Sequence, residues 1–372
     1  MSSLSSNENA ADVVSRSADA ARARVFLLRA AVSFIALIAY QFSGASSHLL
    51  TGLHARFADS WFPVHAIYIV ISLFGLGALM LPFSLYEDFV IEARESGEET
   101  DFEEWTFGIL QVIGMDLLAG TAFFLVVYGL LEGLPRAWWL VAAAIYGAIN
   151  CIMTVAPMLQ GPPEDELAEL RDPPLRERLS AVLKKSGQRD FDVLRWNGDD
   201  ANDEALLALQ GFGKRRRVII SAALLRDFTA DEIAALLAHE ASHLRSFDTT
   251  RLNILSILAA LFGFAATHAL TRILSLWCEI PAISDLAAFP IFTGVLLAFS
   301  FAGLPLLNAF SRHREYVADV VAARIAGEEP LRFALEKLND GGPAASPGKL
   351  LDLLLNSHPG LHQRLWRLNS KG

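Results

Sequence analysis

The chain carries six apolar stretches, each long enough to cross a lipid bilayer as a single α-helix. Such a crossing needs about 20 apolar residues. Pro290 and Pro305 lie inside the last stretch, and membrane helices tolerate proline where neighbouring groups satisfy the freed carbonyl. We therefore predict a mainly α-helical, polytopic membrane protein with about six transmembrane helices, at residues 25–43, 64–86, 105–131, 138–159, 253–278 and 285–311.

The polar remainder of the chain falls into three parts. Residues 1–24 form an N-terminal tail, residues 160–250 follow the fourth span, and residues 312–372 form the C-terminal segment, so that four spans group in 25–159 and two in 251–311. The middle part contains short runs rich in apolar residues and bounded by Gly and Asn, which are typical of strands. We predict a small β-sheet there, with strands at 191–196, 206–212 and 216–221, a preceding helix at 174–186, and a loop at 341–348.

Basic residues before the first span set the expected orientation. Arg16, Arg22 and Arg24 precede that span, and the cytoplasmic flanks of membrane helices are enriched in Lys and Arg. A signal peptide cleaved near residues 43–45 is the competing interpretation. Under either interpretation, alternation of the spans places three segments in the cytoplasm: the acidic loop 87–104, the region 160–250 and the C-terminal segment.

Composition narrows the class of protein further. Hydrophobic residues make up 53% of the chain and charged residues 19%, whereas soluble domains have roughly 25% charged residues. Two cysteines are too few for a disulfide scaffold or a cysteine-based zinc finger. The formal net charge of −10 argues against a nucleic acid partner, which would need a basic face. The lipid bilayer is therefore the expected partner, and the oligomeric state stays open.

A helix start and a metal-binding spacing coincide after the third predicted strand. Thr229 with Glu232 three residues later forms a capping box, so a helix begins here. On that helix His239 and His243 lie four residues apart on one face, where their ring nitrogens can meet one metal ion. Glu240 follows the first histidine, so its carboxylate can reach a water at the metal. This is the His-Glu-x-x-His motif, which supplies two zinc ligands and a general base.

The third ligand of a catalytic zinc is expected from the segment after the sixth span. Glu315 can ligate the metal, and Asp319, four residues later on the same helical face, can accept a hydrogen bond from a ligand histidine. A solvated face of charges with Arg312 and Arg314 gives the same pattern. His313 is a rival ligand, but it faces another side of the helix. Because the histidine pair needs a partner, we favour Glu315.

Further short motifs flank the histidine pair in a characteristic order. Together they resemble the membrane zinc endopeptidases of the CAAX prenyl protease type 1 family and the related bacterial heat-shock membrane protease. The resemblance runs from about residue 81 to residue 368. It rests on Leu81–Tyr86, Phe89–Glu92, Ala156-Pro157, Gly211–Lys214, Val218–Ile220, Glu315 with Ala318-Asp319, and Ser357–Pro359 with Arg364-Leu365.

The resemblance implies a gluzincin-like catalytic region with one Zn²⁺ per chain. His239, His243 and Glu315 would bind the metal, and Asp319 would support a ligand histidine. Glu240 would take a proton from the attacking water and pass it to the leaving amine. The implied activity is hydrolysis of peptide bonds in peptides or membrane proteins.

The resemblance also assigns roles outside the metal ligands. His358 and Arg364 would stabilise negative charge on the carbonyl oxygen, which suits their donor chemistry. A strand edge near 206–210 would pair with an extended substrate, and the membrane helices would enclose a chamber beside the zinc. The Ala-, Leu- and Arg-rich composition favours a bacterial protein, and hence an inner membrane location. The arginines before the first span place the catalytic region in the cytoplasm.

The chain departs from the family pattern in three places. Ala241-Ser242 replaces Leu-Gly inside the zinc motif, and both residues are small enough to leave the metal undisturbed. Leu206-Leu207-Ala208 stands where the family has Asn-Ala-Tyr/Phe, so a side-chain contact to substrate is lost. The chain has six predicted spans, whereas the prenyl protease type has seven.

Two other functional hypotheses stay open from the sequence. The first is a non-catalytic, zinc-stabilised membrane scaffold (a pseudoprotease), although a structural site has no need of Glu240. The second is a transporter that uses Asp116, which lies inside the third span, with Arg272 as its partner. A transporter predicts inverted repeats, and the sequence shows no internal repeat.

Overall fold

The computed structural model describes residues 2–58, 60–96, 101–159, 162–188, 191–197, 205–211, 216–338, 354 and 356–369. Within these residues the chain forms two compact units. The membrane unit takes Met1–Tyr146 and Ile257–Pro305, and the second unit takes Gly147–Ser256, Leu306–Ser346 and Asp352–Gly372. The predicted loop at 341–348 and residues 212–214 of the Gly211–Lys214 motif lie outside the described residues.

Six helices of the described chain are long and apolar enough to cross a membrane, which confirms the predicted number. An apolar segment forms a helix in lipid because only internal hydrogen bonds can satisfy its backbone. The predicted spans fall on the first, third, fifth, sixth, tenth and eleventh helices, and the first and eleventh helices extend well beyond their spans. The helices are α1 (Ser2–Phe42), α2 (Ala45–Phe57), α3 (Trp61–Tyr86), α4 (Ala93–Ser96), α5 (Phe102–Gly133), α6 (Trp138–Leu159), α7 (Pro173–Lys185), α8 (Ala222–Asp227), α9 (Ala230–Ser246), α10 (Asp248–Trp277), α11 (Phe289–Ala326), α12 (Glu328–Leu338) and α13 (Leu361–Asn369).

Two segments that were predicted without a helix are helical near the N-terminus. Helix α1 begins at Ser2, so the expected tail 1–24 is continuous with the first span. Helix α2 occupies most of the predicted loop between the first two spans. Its 13 residues extend only about 20 Å, which is shorter than the roughly 30 Å of a hydrocarbon core. Helix α2 is therefore too short to be a span.

The prediction of an acidic loop at 87–104 was wrong for residues 87–96. Helix α3 continues there as a π-helix, Glu87–Glu92, and then as α4. The acidic side chains have partners on other helices, which the sequence pattern does not show. Arg29 of α1 pairs with Glu87 at 2.7 Å, and the indole nitrogen of Trp105 donates to Asp88 at 2.6 Å.

The core of the membrane unit is aromatic. Tyr68, Trp138 and Phe289 are almost completely buried, and the rings of Tyr68 and Phe289 meet edge-on with their centroids 5.6 Å apart. Such pairs stabilise beyond the area that they bury. Trp138 donates its indole N–H to Nδ1 of His268 at 2.9 Å. His268 is therefore a partly buried, hydrogen-bonded histidine.

The structure gives the transporter hypothesis little support. Asp116 is exposed on the surface of α5. No ion pair joins it to Arg272 or to any other residue in the described part of the chain. An exposed carboxylate without a fixed cation does not form the intramembrane charge pair on which that hypothesis depended.

The second unit contains a four-stranded mixed sheet in the order β1-β2-β4-β3, made of β1 (Leu167–Glu169), β2 (Phe191–Trp196), β3 (Leu207–Gln210) and β4 (Arg216–Ser221). The central pair is parallel, with Val193 opposite Val218. Both outer strands are antiparallel to their neighbours. The sequence predicted the last three strands and missed β1, because three residues are too few to show a period of two.

Helix α9 lies at the centre of the second unit's core. Ile233, Leu237 and the alanines between them are almost completely buried, and α7 and α12 both pack against the helix. Alanine allows this close approach because its side chain is short. Full burial of a leucine such as Leu237 stabilises the fold by about 1.5–3 kcal/mol. The histidine pair is therefore carried by a rigid element.

Candidate metal centre

The N-terminus of α9 is held by the predicted capping box. The Thr229 hydroxyl accepts a bond from the Glu232 amide at 3.3 Å, and the Glu232 carboxylate accepts one from the Thr229 amide at 2.7 Å. Lys337 of α12 donates to the same carboxylate at 2.7 Å. Burial raises the pKa of Glu232, but Lys337 and Thr229 outweigh it and hold that pKa below its usual value. The helix start is fixed by charge as well as by the cap.

Three side chains converge on one point beside α9. The Nε2 atoms of His239 and His243 are 3.2 Å apart. Glu315 of α11 places Oε2 at 3.4 Å from Nε2 of His239 and Oε1 at 3.5 Å from Nε2 of His243. All three residues lie close enough to share one metal ion. His313, the rival ligand, is exposed and belongs to no metal-binding group of the described residues.

The spacing of these atoms fits a tetrahedral metal. Zinc binds histidine nitrogen and carboxylate oxygen at about 2.0–2.1 Å, so two ligand atoms on a tetrahedron lie about 3.3–3.4 Å apart. The two histidine nitrogens are 3.2 Å apart, and each lies 3.4 or 3.5 Å from a different oxygen of Glu315, which is close to that value. Two imidazoles and one carboxylate also form a donor set that catalytic zinc sites use. The residues present therefore fit the metal.

Asp319 contacts the ring of His239 on the nitrogen that faces away from the other ligands. Nδ1 of His239 lies 3.0 Å from Oδ1 of Asp319. Arg364 of α13 binds both oxygens of that carboxylate, through Nε at 2.8 Å and Nη2 at 2.5 Å. Burial raises the pKa of Asp319, but Arg364 and His239 reverse the effect and lower it. The carboxylate stays charged, so it can accept a hydrogen bond from Nδ1 of His239 and orient Nε2 toward Glu315 and His243.

His243 has a matching support that the sequence did not reveal. Its Nδ1 lies 2.9 Å from Oδ2 of Asp248, the first residue of α10. Arg314, next to Glu315, donates from Nε to the other oxygen of Asp248 at 2.6 Å. Asp248 reaches back because Phe247 adopts left-handed backbone angles (φ 54°, ψ 41°) and breaks the helix. No sequence signal marks a phenylalanine for that conformation, so Asp248 was missed.

Glu240 faces a cavity beside the ligand group. The cavity has a volume of about 470 Å³, and its lining includes Glu240 and apolar side chains such as Leu252, Phe310 and Leu338. Glu240 is half-buried. Within the described residues no hydrogen bond or ion pair engages its carboxylate. The carboxylate is therefore available for proton transfer.

The C-terminal segment brings two further predicted residues to the ligands. Nδ1 of His358 lies 3.2 Å from Oε1 of Glu315, and Nη2 of Arg364 lies 3.9 Å from Oε2. Glu315 raises the pKa of His358 above its usual value. The segment is held to α11, where Asn308 donates to the carbonyl of Leu354 at 2.8 Å. All the predicted site residues are thus close to one another.

Two family models match the chain over most of its length. The model of peptidase family M48 matches residues 169–371, which contain the whole ligand group. The chain belongs to peptidase family M48. M48 enzymes are metallopeptidases, and the His-His-Glu group of this M48 peptidase can bind a metal. A second model, the N-terminal part of CAAX prenyl proteases with five membrane helices, matches residues 10–162.

Individual relatives agree with this assignment. The CAAX prenyl protease 1 homolog of Arabidopsis thaliana is 27% identical over 304 residues, 77% of this chain and 68% of the relative. Protease HtpX of Mannheimia succiniciproducens is 25% identical over 279 residues, 68% of this chain and 97% of the relative. The crystal structure of Ste24p from S. mikatae has a TM-score of 0.58 at 19% identity and covers 90% of this chain and 82% of that one. This last likeness concerns the fold alone.

The spans and the family together make this M48 peptidase an integral membrane protein with a peptide or protein substrate. Within residues 10–162 it has four spans and the short α2, where the family model has five membrane helices. The resemblance seen in the sequence is thus confirmed at the level of the family.

Proposed function

We propose that this M48 peptidase is a zinc-dependent endopeptidase that hydrolyses peptides or membrane proteins. One observation carries the proposal: two histidine nitrogens and the carboxylate of Glu315 converge beside the carboxylate of Glu240, which makes no hydrogen bond or ion pair with any described residue. A catalytic zinc needs this combination of three protein ligands, an open position and a base. A non-catalytic scaffold would need only the ligands.

The side chains divide the chemistry among them. His239 and His243 hold the metal through Nε2, and Glu315 holds it through its carboxylate. When bound, zinc acts as a Lewis acid that acidifies water and polarises the scissile carbonyl. Glu240 takes the proton of the attacking water and delivers it to the leaving amine.

His358 and Arg364 are proposed to stabilise the negative charge that develops on the carbonyl oxygen. Both line the cavity that contains Glu240. Arg364 uses Nε and Nη2 on Asp319, and a guanidinium has five N–H donors, so others stay available. The side chain of His358 is 71% exposed, which leaves it accessible to a substrate in the cavity.

The edge of the sheet provides a place for an extended substrate. Strand β3 lies at one end of the strand order, and its described hydrogen-bonding partner is β4 alone. A peptide can therefore add to its free edge through backbone hydrogen bonds. Cleavage preference then depends on the cavity walls more than on a side chain of the 206–208 segment, where the family motif is absent.

We further propose a bacterial inner membrane location, with the metal centre facing the cytoplasm. The arginines before the first span support this orientation. A reporter fused to the C-terminus should be inaccessible to a membrane-impermeant label in intact cells. Labelling from outside would reverse the proposed orientation.

The substitution Glu240→Gln tests the catalytic role. Removal of a general base typically lowers the rate by about 10²–10⁴-fold, so hydrolysis of a fluorescence-quenched peptide library should almost disappear while the zinc content stays unchanged. Glu177→Gln, on the exposed face of α7, is the matched control. Undiminished hydrolysis by Glu240→Gln would remove Glu240 from the mechanism. A wild type that holds zinc and cleaves nothing would favour the scaffold.

A further inference from the structure

Asp248 and Arg314 form a charged chain behind His243 that no motif of the sequence indicated. Oδ2 of Asp248 lies 2.9 Å from Nδ1 of His243, and Oδ1 accepts from Nε of Arg314 at 2.6 Å. Each oxygen has its own partner. The side chains of Asp248 and Arg314 are 8% and 14% exposed, so water competes little for either contact.

The geometry points to a positioning role in metal binding: we propose that Asp248, fixed by Arg314, holds His243 in the tautomer and orientation that present Nε2 to the metal. A carboxylate on Nδ1 leaves Nε2 without a proton and makes it a better ligand. Asp319 makes the corresponding contact with Nδ1 of His239, so the Nδ1 atom of each histidine has a carboxylate partner. This inference rests on the proposed zinc site.

The backbone around Asp248 is consistent with a functional placement. Phe247 lies in the left-handed region, which is uncommon for a residue with a bulky side chain. The conformation is unfavourable by itself, and it turns the chain so that Asp248 faces the helix that has just ended. Phe247 is 68% exposed, so packing of its phenyl ring does not explain the left-handed conformation.

A purely structural role for Asp248 makes a different prediction. Asp248 is also the first residue of α10, where a negative charge interacts favourably with the helix dipole. If this were its whole function, removal of the carboxylate would lower the stability of the metal-free chain and leave the intrinsic affinity for zinc unchanged. Metal affinity and metal-free stability therefore separate the two accounts.

The test uses the full-length chain in detergent, in the wild type and in Asp248→Ala, Asp248→Asn, Arg314→Gln and Arg314→Lys. Zinc dissociation constants come from chelator competition, and thermal unfolding of the metal-free forms reports stability. Loss of such an outer partner typically weakens metal binding about 10–100-fold. We expect that loss in Asp248→Ala, a smaller loss in Arg314→Gln, and recovery in Arg314→Lys, whose ammonium can still reach one oxygen. Asp192→Asn, exposed on β2, is the control.

The absorption spectrum of bound Co²⁺ is a second measurement, and it does not depend on the stability of the metal-free chain. Visible absorption of Co²⁺ in the site should shift in Asp248→Ala and Asp248→Asn, because the bound imidazole changes its donor strength and direction. Zinc affinity within twofold of wild type in Asp248→Ala overturns the inference, and so does a loss confined to metal-free stability. A wild type without zinc affinity overturns the proposed function as well, whereas a zinc-binding wild type with an unaffected Asp248→Ala overturns this inference alone.

Discussion

The two ligand histidines share one helix but are supported from different parts of the chain. Behind His239, Asp319 is almost completely buried and receives two bonds from Arg364. Behind His243, Asp248 receives one bond from Arg314, and the histidine is more exposed, at 21% against 9% for His239. Both histidines therefore have a carboxylate on Nδ1. Asp319 comes from a distant helix, whereas Asp248 is brought to His243 by the local break after α9.

Removal of Asp319 should have the largest effect on stability. The substitution Asp319→Ala removes both hydrogen bonds of the largely buried Arg364 and leaves it only the more distant carboxylate of Glu315. Breaking a buried pair costs about 3–5 kcal/mol. Asp248→Ala should destabilise the metal-free chain less, because the pair it breaks has one bond and borders a more exposed histidine. Denaturant unfolding of the metal-free proteins measures both values. Equal losses would show that the two sides are equivalent.

The two arginines should differ in their tolerance of lysine. Arg364 grips Asp319 with two N–H groups in a fork, which lysine cannot reproduce. Arg364→Lys should therefore lower stability by about 1–3 kcal/mol, the range for hydrogen bonds to charged groups, and should weaken zinc binding. Arg314→Lys replaces a single contact and should stay close to wild type. A reversed order would contradict the geometry of both pairs.

The pair Glu232–Lys337 anchors the helix that both histidines share, so its loss should affect them alike. At neutral pH, Lys337→Met should destabilise the chain by about 1 kcal/mol, because the lysine is partly exposed and solvent screens the pair. Because the pKa of Glu232 is lowered by folding, the pair stabilises above pH 4.5 and loses its effect as pH falls further. The difference between variant and wild type should shrink over that range. A difference that persists below pH 3 would exclude the charge as its cause.

The backbone break at Phe247 should matter for the His243 side alone. Phe247→Gly relieves the left-handed strain of about 1 kcal/mol and should leave zinc affinity unchanged, because the exposed phenyl ring contributes little packing. Phe247→Val should weaken zinc binding, because a β-branched residue resists that conformation. Zinc titration of the two variants makes the comparison. Identical behaviour of both would mean that the left-handed turn does not place Asp248.

The sequence predicted the parts of the site that depend on local spacing. His239 and His243 share a face because both lie on one capped helix, and the same spacing relates Glu315 to Asp319. Asp248 could not be predicted, because its position depends on a left-handed phenylalanine that no residue preference indicates.

The fold shows the same division between local and distant causes. The six spans could be predicted because an apolar run in lipid must satisfy its backbone with its own hydrogen bonds and therefore forms a helix. The acidic segment 87–92 has the sequence pattern of a loop, but it is helical, and Arg29 and Trp105 on other helices bind two of its carboxylates. Strand β1 is defined by its pairing with β2 and has too little sequence to be recognised alone.

His239, His243 and Glu315 are proposed to hold one zinc ion. Elemental analysis of the purified full-length chain tests it most directly. We expect about one zinc per chain in the wild type and almost none in the double variant His239→Ala, His243→Ala. A metal-free wild type, or a double variant that retains its zinc, would contradict it.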